Sequence, residues 1–137
     1  MASRRFFIPT LPAEALSPNA RRHWSERAKA AKQLRTEFAV SLLAQVRQEG
    51  WTDLPLSSAT LEIEMRICRK RFGHDGYYRP RDVDNAQASL KSAIDALVDA
   101  GVVVDDTAKQ LQILQTTIVE VPSRSEEAII LSIESST

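Results

Sequence analysis

ATLEIEMRIC, residues 59–68, alternates apolar and polar side chains along its length. Leu61, Ile63, Met65 and Ile67 fall on one side of an extended chain, and Glu62, Glu64 and Arg66 fall on the other. A period of two over this length is that of a strand with one face buried, so the fold contains a sheet whose inner face needs a cover. The cover is written on both sides of the strand. From Trp24 to about Gln48 the chain is rich in Ala, Leu, Arg, Lys and Glu, and Leu34, Phe38, Leu42 and Val46 recur every four residues. That spacing is an amphipathic helix, ended by Gly50. After the strand come a polar loop at residues 69–81 and a second helix from about Asp84 to Ala100. Leu90, Ile94 and Leu97 form the apolar stripe of this helix, and Gly101 is its stop.

Further out, residues 5–10 read as a strand, and residues 11–22, with Pro12, Pro18 and Asn19, as an ordered loop. Strands are expected near residues 111–121 and 128–133, joined by a turn at 122–127. The resulting order, β-α-β-α-β-β, predicts an α+β fold: a single domain with a mixed β-sheet and two main helices. A length of 137 residues suits one such domain and is too short for two cores.

Composition narrows the function classes. With 43% hydrophobic and 26% charged residues the chain is not disordered, and no apolar run nears the roughly 18 residues that span a bilayer. The N-terminal MASRRFFIPTLPAEA is basic but lacks the apolar stretch of a secretory signal. A single cysteine, Cys68, excludes an intrachain disulfide framework and a cysteine-built zinc site. A cytoplasmic protein with no membrane contact is therefore expected.

The 18 basic and 18 acidic side chains sum to zero, but they are not mixed. Residues 1–81 carry 15 basic and 8 acidic groups, a net +7, and residues 82–137 carry 3 basic and 10 acidic groups, a net −7. The sign changes within Arg79-Pro80-Arg81-Asp82-Val83-Asp84. Two basic clusters stand out, Arg69, Lys70, Arg71, Arg79 and Arg81 in one and Arg21, Arg22, Arg27, Lys29 and Lys32 in the other. Both suit contacts to a phosphate backbone, and both also suit plain solvated faces. Tyr77 and Tyr78 in the loop either stack on unpaired bases or pack at the loop base.

The acidic groups have a different spacing. An N-cap accounts for one aspartate at the start of the second helix, most naturally Asp84, but not for Asp82 or for Asp105-Asp106 beyond the helix. Clustered carboxylates repel unless a cation lies between them, and oxygen ligands without His or Cys favour Mg²⁺, Mn²⁺ or Ca²⁺ over zinc. If the chain returns after Gly101, the two pairs can meet. Lys91, seven residues after Asp84, falls roughly 20° short of two full turns and shares its helix face. It either reaches back toward a metal or pairs with Asp95 at i+4. His23 and His74 lack a partner at ligand spacing, Cys68 reads as a packed thiol, and Trp24 as an anchor at the helix start.

The string RPRDVDNAQASLKSAIDALVDAGVVVDD, residues 79–106, resembles the RusA family of Holliday-junction resolvases of bacteria and their phages. LSPNARRHW, residues 16–24, is similar to that family's N-terminal loop. The resemblance implies a single RusA-like nuclease domain over residues 1–137, with metal-binding aspartates at Asp82, Asp84 and Asp106. Asp105 takes the last role if the register differs by one. It implies an essential lysine at Lys91. In the family's best-known spacing that lysine follows the second aspartate by four residues, where Ala88 stands here. It also implies Mg²⁺, with Mn²⁺ as a substitute, and a homodimer cutting a four-way DNA junction by paired phosphodiester hydrolysis in recombination and repair. The setting would be the cytoplasm of a bacterium, from a chromosomal or prophage gene. Competing readings are a Mg²⁺-dependent nuclease for flaps or forks, a catalytically silent DNA-binding dimer, and a D-x-D site for nucleotide-sugar chemistry. The last lacks a glycine loop to cradle phosphates.

Overall fold

The computed structural model describes residues 3–9, 24–68 and 80–136; the side chains of residues 24–27 and 80–89 also lie outside the description. In chain order the elements are β1 (Ser3–Ile8), α1 (Trp24–Glu49), β2 (Ala59–Cys68), α2 (Pro80–Asp99), β3 (Leu111–Val121) and β4 (Ala128–Ser135). A short 3-10 turn at Arg124–Glu126 precedes β4. The fold is α+β, with the expected order of strands and helices.

The four strands form one mixed sheet in the order β1-β4-β2-β3. β4 runs antiparallel to both β1 and β2, whereas β2 and β3 are parallel. Parallel neighbours need a crossover, and α2 supplies it. It returns the chain from the end of β2 to the level where β2 began, and Leu111 pairs beside Ala59.

The alternation of β2 decides the layering. Leu61, Ile63, Met65 and Ile67 are all buried, in one cluster with Phe6, Ile8, Leu131 and Ile133 from β1 and β4. Leu34, Phe38 and Leu42 of α1 close that cluster as their spacing predicts. In α2 the stripe sits differently: Leu90 and Ile94 are half-buried, and the deepest face is Ala93, Ala96, Leu97 and Ala100. Alanines at i, i+3 and i+7 leave little side chain between backbones, so among the described residues of α2 Leu97 is the one large side chain sealed in the core. Leu97→Ala should cost about 2–5 kcal/mol, read as a lower urea midpoint at unchanged slope.

Both helices stop as expected. Gly50 and Gly101 take φ of 70° and 71°, the left-handed conformation that ends a helix. At Gly101 two bonds close the cap, from its N–H to the Val98 carbonyl at 3.0 Å and from the Val102 N–H to the Leu97 carbonyl at 3.0 Å. After α1, Trp51 meets Phe6 edge-on at 5.2 Å and lies 5.9 Å from the Arg4 guanidinium. Arg4 also pairs with Asp53. These contacts lock the β1 edge to the chain that follows α1. Gln45 of α1 completes the lock by bonding both backbone groups of Phe7, at 2.8 and 2.9 Å.

Candidate functional site

α2 begins at Pro80, four residues before the start expected from Asp84. Proline is favoured at a first helical position, because its missing N–H would have no partner there. Asp82 and Asp84 are therefore helical residues, and Asp84 is not the N-cap that sequence suggested: a cap precedes the first helical residue. Carboxylates in this opening stretch are favoured by the positive end of the helix dipole.

Lys91 is exposed on α2, and among the described residues it makes no ion pair. Of the two readings of Lys91, the ion pair with Asp95 does not form. Asp95 instead lies 3.8 Å from Nη1 of Arg35, which reaches across from α1. Arg35 grips Asp99 with two bonds, Nε to Oδ2 at 2.5 Å and Nη2 to Oδ1 at 2.7 Å. The hydrogen bond from Arg35 holds the Asp99 carboxyl below the usual aspartate range, against the opposing effect of burial. The guanidinium is raised in turn, chiefly by that bond and further by the charges of Asp99, Asp95 and Asp106. Arg35 is thus a clamp between the two helices. Lys32 and Lys29, about one and two turns earlier, are exposed and remain available to an anion.

Asp105 and Asp106 follow the C-terminal cap of α2. Val104 is held by its N–H to the Leu56 carbonyl at 3.1 Å, and the Asp106 N–H donates to Oδ1 of Asp105 at 2.8 Å. Asp105 is half-buried and Asp106 exposed. Their place explains why Asp106 acts on Arg35: both lie at the Asp99 end of α2. A helix rises about 1.5 Å per residue, so Asp84 stands about 22 Å along the axis from Asp99. Within one copy the two acidic pairs sit at opposite ends of α2. The return of the chain after Gly101, which would have brought them together, goes into β3 instead.

Arg21, Arg22, Arg69, Lys70, Arg71 and Arg79, with His23, His74, Tyr77 and Tyr78, lie outside the described residues, as do the side chains of Trp24, Arg27, Arg81, Asp82 and Asp84. Among the described residues no group of three or more His, Cys, Asp or Glu gathers as a metal would require. Cys68 is buried, with its sulfur 3.9 Å from the Pro122 carbonyl and its N–H donating to Glu127 at 3.1 Å. It is a packed thiol, as expected.

The sheet face turned away from the helices carries a shallow groove of about 230 Å³, lined by Arg5, Glu62, Glu64, Gln115, Thr117 and Ser132 among others. It mixes both signs of charge, and beside its hydroxyls, Thr117 and Ser132, the lining has no histidine to activate them. Sequence reading did not single it out, because alternate polar residues on a half-buried strand announce solvent and not a site.

No known protein-family profile matches the chain. It is similar to a protein of Xylella fastidiosa (strain Temecula1) described as an uncharacterized protein, with 36% identity over 93 residues. The match covers 65% of this chain and 52% of that protein, so the chain spans about half the length of this relative. Among the described residues no helix is long and apolar enough to cross a membrane.

Proposed function

We propose that the chain is a metal-dependent, structure-specific endodeoxyribonuclease of the RusA kind, resolving four-way DNA junctions by phosphodiester hydrolysis. The ordered string from Arg79 to Asp106 suggests this activity, and the state of Lys91 carries it furthest. A lysine on an exposed helix face beside an aspartate at i+4 would ordinarily pair with it. Here Asp95 is taken by Arg35, and among the described residues the Lys91 ammonium makes no ion pair.

Aspartates with no His or Cys among them suit Mg²⁺ or Mn²⁺, which would supply an activated water and charge neutralisation at a scissile phosphate. The backbone of α2 sets Asp82 and Asp84 at one end of the helix and Asp105-Asp106 beyond the other, which favours a ligand set that a single copy does not complete. On this reading Asp82 and Asp84 form one half of the ligand set and Asp106, with Asp105 beside it, the other. Lys91 stabilises developing charge on the phosphate or protonates the leaving oxygen. Lys29 and Lys32, with Arg21, Arg22, Arg69, Lys70, Arg71, Arg79 and Arg81, hold the phosphate backbone. A homodimer working in a bacterial cytoplasm, from a chromosomal or prophage gene, belongs to the same reading.

Synthetic four-way, forked and linear duplexes, incubated with the protein with and without Mg²⁺, test it directly. Paired symmetric cuts in the four-way substrate, lost in EDTA, are the expected result. Cutting confined to forks or flaps would assign a different specificity, and binding without cleavage in any divalent metal would leave a DNA-binding dimer. Lys91→Ala separates catalysis from stability. Turnover should fall about 100-fold or more while the melting temperature moves by less than about 1 °C, because Lys91 makes no ion pair among the described residues. Intact turnover with a lowered melting temperature would return Lys91 to a structural role.

A further inference from the structure

α1 and α2 run in the same direction. β1 and β2 are each antiparallel to β4, so they are parallel to each other, and β2 is parallel to β3. A helix that joins parallel strands of one sheet returns against them, and α1 joins β1 to β2 as α2 joins β2 to β3. The two helices therefore lie with their starts at one end of the sheet. The buried face of α2 is smooth: Ala93, Ala96 and Ala100 flank Leu97, the one large side chain there among the described residues. Helices hold their register by interlocking ridges and grooves, and alanines offer shallow ones.

A polar device sits where packing is smooth. Asp95 and Asp99 stand near the end of α2, where the negative pole of the helix dipole disfavours them, and the last turn has no basic residue of its own. The cation comes from α1. Arg35 meets Asp99 with both Nε and Nη2, at 2.5 and 2.7 Å, and Asp95 lies 3.8 Å from Nη1. A forked bond to one carboxylate fixes the plane of the guanidinium, and a second carboxylate one turn earlier fixes its height along α2. A slip of one helical turn, about 5.4 Å, would break the grip. The three side chains remain partly exposed, and exposed ion pairs add little to stability. What the clamp determines is alignment.

The clamp places Arg35 level with the middle of the Asp95–Asp99 turn. Lys32, three residues earlier on α1, then stands about 4.5 Å nearer the helix starts, and Lys91 on α2 about 9 Å nearer. Their heights differ by less than one turn. Each also lies farther from the core than its neighbour in the clamp. Lys32 is about 60° round α1 from Arg35, away from Leu34 and Phe38, and Lys91 is about 40° round α2 from Asp95, away from Ala96 and Leu97. Both lysines are exposed. Two ammonium groups on flexible four-carbon stems thus flank the outer mouth of one cleft, where a single phosphate can accept from both. We propose that Arg35 is a positioning residue of the nuclease site: its grip on Asp95 and Asp99 holds α1 and α2 in the register that sets Lys32 beside Lys91, so that both ammonium groups meet one phosphate of the DNA. The phosphate contact rests on the nuclease reading; the register does not.

A bifunctional amine reagent with one aromatic ring between its reactive carbons tests the register with no DNA or metal present. Peptide mass spectrometry should find Lys32 joined to Lys91 within one chain of the unaltered protein. Arg35→Gln should lower the yield of that link about tenfold while the melting temperature falls by no more than about 3 °C, the loss of an exposed ion pair. Arg47→Gln, which removes an exposed charge elsewhere on α1, should leave the link unchanged. On four-way DNA in Mg²⁺, Arg35→Gln should cut about tenfold more slowly at saturating substrate. Lys32→Ala should slow the unaltered protein by a similar factor but add little to Arg35→Gln, because a lysine already out of place has little left to lose. A merely structural arginine would leave the two effects additive. An undiminished link in folded Arg35→Gln, no Lys32–Lys91 link in the unaltered protein, or full additivity would each overturn the proposal. A protein that links these lysines but cuts no DNA would keep the register and overturn the nuclease reading, and with it the phosphate contact.

Discussion

Asp82→Asn should abolish cutting of four-way DNA, with the single-turnover rate falling at least about 1000-fold, equivalent to about 4 kcal/mol of lost transition-state stabilisation. The substitution keeps side-chain size and removes one negative charge and one hard oxygen ligand, the features a divalent ion needs. Junction affinity should move the other way. A carboxylate beside a phosphate repels it, so the amide should bind as well as the parent or more tightly at low salt. Rate and affinity therefore separate, which general unfolding cannot imitate because it lowers both. Gel-shift affinity in EDTA, beside cleavage in Mg²⁺, gives the two readings from one preparation. An Asp82→Asn protein that cuts at the parental rate would remove this aspartate from the chemistry and leave the first turns of α2 a purely structural feature.

The parts of the fold that could be read from sequence were those set by local rules. A period of two fixed the face of β2, a period near four fixed α1, and two glycines marked the ends of both helices. The start of α2 was misplaced because Pro80 sits among arginines and aspartates that read as loop. The favour proline finds at a first helical position leaves no hydrophobic trace. Alanines did the same in the core of α2: Ala93 and Ala96 weigh little in an apolar pattern, yet their small size is what lets α2 pack closely. The Lys91–Asp95 pair failed for a different reason. An i,i+4 spacing is visible in sequence, whereas Arg35, 64 residues before Asp99, becomes a competitor only once α1 and α2 pack together. The acidic pairs were legible as chemistry but not as a place. Nothing in the spacing of Asp84 and Asp106 says that the chain between them runs a full helix length away before it turns into β3.

That separation yields the most discriminating experiment on the site. Asp82→Asn and Asp106→Asn proteins should each be inactive alone, yet mixing them under conditions that exchange subunits should restore nicking. If each site takes Asp82 from one copy and Asp106 from the other, a mixed dimer contains one intact site and one doubly altered site. At equal input about half the dimers are mixed and half of their sites are whole, so nicking should return to about one quarter of the parental level. Complete resolution should not return, since paired cuts need two working sites in one dimer. If both aspartates served a site within a single chain, every site in every dimer would be broken and mixing would restore nothing. The reverse mixture sharpens the distinction. An excess of the doubly altered chain should silence the unaltered chain when sites are shared, because every mixed dimer then has two half-sites. It would spare nicking if each chain carried its own site.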